Sequence, residues 1–164
     1  MQLAITKAGR SFLAIRDAEP RTRFLVALGG GGPGEHGYDE HDGDTGNEQA
    51  FKFEDPNPVD IFGMADRDAR FMERSKKSGK PFFIQMSWNA LHASENALQV
   101  TLAKYEQKLK GENSKRITTA AITEDLDTGV GRVLAAIGRL GLADSTYVIY
   151  IADNGASGGK KVLN

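Results

Sequence analysis

Residues 117–155 read ITTAAITEDLDTGVGRVLAAIGRLGLADSTYVIYIADNG, and this stretch decides the fold class. Leu126, Val130, Val133, Leu134, Ile137 and Leu140 form one apolar stripe of a helix over 117–140. Gly141 suits the left-handed cap that closes such a helix, and Leu142 is placed to fold back on its last turn. Asp144-Ser145 then turns the chain into an apolar strand over 146–152, which ends on Asp153-Asn154-Gly155.

That ending carries two hard oxygen donors followed by a residue free to turn. An ionised carboxylate beside an amide carbonyl suits calcium or magnesium, and ligand sites in open α/β sheets lie outside the carboxyl ends of strands. Asp-Asn-Gly is also an ordinary way to leave a sheet, because Asn and Gly tolerate left-handed backbone. The surroundings decide between the two.

Working backward, residues 81–88 (PFFIQMSW) are a mostly apolar run that reads as a buried strand. Ahead of it, Asn57 can cap a helix, Pro58 suits its first turn and Asp60 faces the positive end of the dipole. Phe62, Ala65, Ala69 and Met72 follow at helical spacing, and Ser78-Gly79-Lys80-Pro81 predicts an end near Lys77. A shorter helix is expected over 100–110, with a stop at 111–114, and residues 29–54 read as a long glycine-rich, then acidic, loop. Strand, helix and strand in that order make a right-handed crossover onto a parallel neighbour the default. Both strand ends would then open on one rim, where His92, in the loop after Ser87-Trp88-Asn89-Ala90-Leu91, would donate to an anionic oxygen or shuttle a proton. A lone loop histidine is otherwise a surface residue.

With these residues in view, the chain resembles the sulfatases. Residues 80–92 (KPFFIQMSWNALH) are similar to that family's KPFFLxxSxNxPH segment, and residues 122–155 to its EDLDxxVGRVLxxLxxLGLxDxTxVIxxSDNG segment. Residues 57–74 (NPVDIFGMADRDARFMER) resemble the helix leading into the first strand, and residues 37–43 (GYDEHDG) the stretch before it. The likeness covers about 28–155, while residues 1–27 depart from the family.

The resemblance implies an α/β fold, three-layer helix-sheet-helix, as part of an alkaline-phosphatase-like mixed sheet, with 1–164 a single partial domain. It implies that Asp153 and Asn154 are ligands of a divalent cation, usually Ca2+ with Mg2+ the alternative, and that His92 contacts the sulfate ester. The implied activity is hydrolysis of sulfuric esters, the partner being a small-molecule or saccharide sulfate ester. The formylglycine nucleophile of the family comes from a Cys/Ser-x-Pro-Ser-Arg motif, which these 164 residues lack, as they lack the early Asp-Asp metal pair. Leu25 and Ala27 stand where the family's Gly-Lys-Trp-His-Leu-Gly run has Lys and His, and Lys160 and Lys161 do not match its later lysine. An incomplete or inactive chain is therefore expected. The alternatives are a non-catalytic homologue with weak cation binding, and a phosphoric or phosphonic ester hydrolase of the same superfamily.

Composition bounds the rest. A chain of 164 residues, 40% hydrophobic, is long enough for one core and one domain. A net charge of -1 gives no electrostatic case for nucleic acid or an anionic membrane, and the absence of cysteine removes disulfides and thiolate chemistry. No apolar run approaches the roughly 20 residues of a membrane span, and residues 1–23 do not build a signal-peptide core, although family members are often periplasmic, secreted or lysosomal. Asp42-x-Asp44-x-Gly46 lacks the closing glutamate of a calcium loop, and the glycines of 155–160 are wrongly spaced for a phosphate loop. Glu124, Asp125 and Asp127 read as an acid/base cluster or as a paired helix face, and His36 and His41 as exposed loop residues.

Overall fold

The computed structural model describes residues 2–7, 22–25, 38–41, 53–91 and 96–152. Its strands are β1 (Gln2–Lys7), β2 (Thr22–Leu25), β3 (Phe82–Ser87) and β4 (Thr146–Ile151), and its helices α1 (Ile61–Lys77), α2 (Gln99–Lys108) and α3 (Ser114–Arg139).

The long helix forms where its local signals stand. Asn113 caps α3 by accepting the Arg116 amide at 2.9 Å. Leu126, Val133 and Ile137 are buried, with Val130 and Leu140 packed against them; Leu134, at 47% exposure, lies off the stripe. Gly141 takes φ +63, and the Leu142 amide donates to the carbonyl of Ile137 at 3.0 Å while its side chain is buried, which is the expected fold-back.

The start of α1 is more contorted than its sequence suggests. Val59 (φ 43) and Asp60 (φ 60) are both left-handed, and the helix proper begins at Ile61. Asn57 nonetheless serves as the cap, its Oδ1 accepting the amides of Phe62 and Gly63 at 2.9 Å each. Its Nδ2 donates to Asp60, whose buried carboxylate also pairs with Arg67. From there Phe62, Ala65, Phe71 and Met72 turn into the core, and the helix stops at Lys77 as expected.

The core lies between α1, α3 and one face of β3. Phe82, Ile84 and Met86 are buried, while Phe83, Gln85 and Ser87 between them are partly exposed. The strand is thus half-buried rather than buried on both faces, and only Phe82 of the Phe82-Phe83 pair is fully core. At Gly129 of α3 an added Cβ would lie 2.5 Å from Ile61 Cγ2 and 3.2 Å from the Trp88 ring, so glycine lets α1 and the end of β3 close onto α3.

The sheet is mixed, in the order β2-β3-β1-β4. Here the expected parallel neighbours are not adjacent: β1 is inserted between β3 and β4 and runs antiparallel to both. Two strands each antiparallel to a third are parallel to one another, so the expected direction holds while the expected adjacency does not. Residues 2–7 supply the inserted strand, and nothing in their sequence announced that long-range pairing. β4 was expected as an apolar strand and is one, yet Tyr147 is 65% exposed and Ile149, Tyr150 and Ile151 are each about half exposed.

Candidate functional site

The registers fix where the two strands end. Gln2 of β1 stands opposite Ser87 on one side and Ile151 on the other, so β3 and β4 finish at the same level of the sheet. With strands about 4.8 Å apart and one strand between them, the two ends are separated by about 10 Å. A bound ester and its counter-ion span such a gap. His92, Asp153 and Asn154 themselves lie outside the described residues, as do His36, Asp42, Asp44, Gly46 and the glycine-rich segment 155–160.

The approach to His92 is described as far as Leu91, which holds φ +73. A left-handed leucine costs about 1–2 kcal/mol, and such strain persists where the surroundings enforce it. The chain therefore turns sharply one residue before the histidine.

Three consecutive residues at this strand end keep a buried polar atom without a hydrogen-bond partner among the described residues: Ser87 Oγ, Trp88 Nε1 and Asn89 Nδ2. Ser87 continues the face of Gln85, whose Oε1 accepts the Tyr38 hydroxyl at 3.0 Å. Trp88 is buried on the opposite side, its benzo edge against Gly129. In the sequence these residues were only the lead into His92. Their one signal was a polar pair closing an otherwise apolar run.

The acidic cluster on α3 resolves into separate structural roles. Lys104 of α2 reaches both carboxylate oxygens of Glu124, at 2.5 and 2.6 Å. Hydrogen bonds from Lys104 and then from Tyr105 hold the Glu124 carboxyl below its ordinary value, and the same pairing raises Lys104. Asp125 is buried, with Oδ2 accepting the Leu98 amide and Oδ1 the Thr101 hydroxyl, each at 2.7 Å. Asp55 accepts the next amide, Gln99, at 2.9 Å, so two carboxylates from other segments cap α2. Asp127 is exposed, as is His41. The cluster is a set of helix braces rather than an acid/base pair.

Among the described residues no three histidine or acidic side chains converge as a cation cage. The oxygen donors of Asp153 and Asn154 are of the type that Ca2+ or Mg2+ takes, but two ligands fall short of the six or more that calcium gathers. The unpartnered atoms at the end of β3 include the donors of Trp88 and Asn89, which suit an anion's oxygens and not a cation. No described helix is long and apolar enough to cross a membrane.

The Sulfatase family profile matches residues 30–163. The chain is 32% identical over 103 residues to a steryl-sulfatase of Mus musculus, an alignment covering 60% of this chain and 15% of that protein. It is 25% identical over 87 residues to an N-acetylgalactosamine-6-sulfatase of Canis lupus familiaris, covering 53% of this chain and 15% of that protein. The matched part is thus a small share of each relative's length.

Proposed function

The chain belongs to the sulfatase family, and from that premise we propose that it carries the cation- and ester-binding part of a sulfuric ester hydrolase. Asp153 and Asn154 hold a divalent cation, calcium before magnesium, and His92 contacts an oxygen of the sulfate ester. The observation that supports this most is the common level of the β3 and β4 ends, both opposite Gln2, from which the two segments carrying these residues depart.

The residues divide the work by charge. The imidazole of His92 donates a hydrogen bond to an oxygen of the bound ester. A divalent cation held by Asp153 and Asn154 would supply further positive charge to the bound ester. The 164 residues carry no Cys/Ser-x-Pro-Ser-Arg motif from which a formylglycine nucleophile is made, so they bind but do not turn over sulfate esters by themselves. The names of the relatives suggest a sterol or sugar carrying the sulfate. The three-layer arrangement and the alkaline-phosphatase-like sheet are part of the same reading. Phosphoric and phosphonic esters are the second reading, because the cation-binding half is what such enzymes share.

Calcium titration followed by thermal unfolding tests the proposal. A ligand that binds only the folded chain raises the midpoint with concentration, and Asp153→Ala should abolish the rise. An unchanged midpoint removes the cation site. Hydrolysis of an aryl sulfate above the buffer rate would overturn the expectation that these residues bind without turnover.

A further inference from the structure

The end of β3 offers hydrogen-bond donors that no group among the described residues uses. A buried donor without an acceptor costs about 1–3 kcal/mol, and such groups in a folded chain need a reason. Here they fall on successive residues, at the rim where β3 and β4 end and next to the strained Leu91. Ser87 closes β3 and Asn89 follows two positions later, the two partly exposed residues flanking the buried Trp88. Trp88 between them is anchored by its ring against Gly129, which fixes the backbone that presents the pair.

We infer that the Ser87 hydroxyl and the Asn89 amide form a donor pair for the oxygens of a tetrahedral oxyanion, as a sulfuric or phosphoric ester presents. This rests on the ester-binding reading above and adds to it two contacts on the β3 side. Trp88 is a positioning residue. The pair explains why polar side chains close an apolar strand without satisfying one another: their acceptor arrives with the ligand. It also sets a trade-off, since removing a buried donor that lacks a protein partner relieves the folded chain while weakening the ligand.

The test uses the single tryptophan of the chain. Its one indole N–H resonance, on the residue between the two donors, should shift saturably when inorganic sulfate or phosphate is added, and not with chloride at equal ionic strength. The tighter of the two anions identifies the class of ester. Asn89→Leu should weaken binding about tenfold and Ser87→Ala several-fold, neither lowering the unfolding midpoint. Asn89→Asp, which sets a carboxylate against the anion, should abolish binding. Thr146→Val is the control: Thr146 Oγ1 is likewise buried and unpartnered but lies at the other end of the sheet, opposite Lys7, so anion binding should be unchanged. An unmoved indole resonance, or an Asn89→Leu variant that binds normally or unfolds earlier, overturns the inference. A calcium-dependent midpoint with no anion shift would leave the cation site standing and remove the donor pair. An anion shift without a calcium effect would do the reverse.

Discussion

The carboxylate of Asp125 accepts the hydroxyl of Thr101 at 2.7 Å, so a side chain in the middle of α3 ties down the first turn of α2. The same carboxylate takes the Leu98 amide that precedes this turn. Leu98, at the cap position of α2, provides no side-chain acceptor of its own. Replacing Asp125 by Ala leaves the buried Thr101 hydroxyl and that amide without an acceptor. The expected cost is about 2–3 kcal/mol in urea unfolding. Lys104→Ala, which breaks the exposed pair with Glu124 one residue away, should cost markedly less than Asp125→Ala.

These adjacent acids also tilt the acid limb of stability in opposite directions. Burial pushes the Asp125 carboxyl up, outweighing the hydrogen bonds from Thr101 and Leu98. A raised folded-state value means that the folded chain holds the proton longer. The stability this contributes is complete below the unfolded value, about 3.9, and is lost as pH rises through the folded value. Glu124, held low by Lys104, contributes stability above its unfolded value, about 4.3, and loses it as pH falls through the folded one. Unfolding measured from about pH 3 to 7 should therefore show Asp125→Asn gaining on the parent chain as pH rises, and Glu124→Gln losing on it.

A third expectation concerns the entry to α1. Asp60 is buried with its carboxylate against Arg67, on backbone that is itself left-handed. Arg67→Met removes the partner and leaves the acid enclosed, so a loss of about 2–4 kcal/mol is expected. Adding Asp60→Asn to that variant should restore part of the loss, because the uncompensated charge is gone. Equal losses in the single and double variants would show that Arg67 acts through packing alone.

What the sequence disclosed, and what it withheld, divides along the range of the interactions. Asn57, Gly141 and Leu142 act within a few residues of themselves, and each does what its position foretold. The sheet order depends on residues 2–7 meeting residues 83–87 and 146–151, and no local pattern encodes that. The shared rim could be anticipated because strand direction follows from the crossover, even though β1 lies inside it. Asp125 looked like any helix-face acid until α2 was set against it. Whether Ser87 and Asn89 lack partners depends on every group around them, and so is invisible in a one-dimensional chain. β4 was read only as an apolar strand, and its exposure shows that composition alone does not cover a strand.

The packing that holds the rim can be tested at a glycine. Gly129 and Gly131 occupy the same helix two positions apart, but an added Cβ at 129 strikes Ile61 and the Trp88 ring, whereas at 131 it meets nothing within 4 Å. Alanine is favoured over glycine in a helix interior by about 1 kcal/mol, so Gly131→Ala should stabilise the chain by roughly that amount. At Gly129 the same gain is opposed by an overpacking cost of about 1–3 kcal/mol, and the net effect should be destabilising. The two variants should also differ at the strand end. Displacing the Trp88 ring moves the backbone that carries Ser87 and Asn89, so Gly129→Ala should shift the indole resonance before any anion is added and weaken sulfate binding, while Gly131→Ala should do neither. If both variants stabilise the chain and leave the indole unmoved, α3 does not set the position of the β3 end.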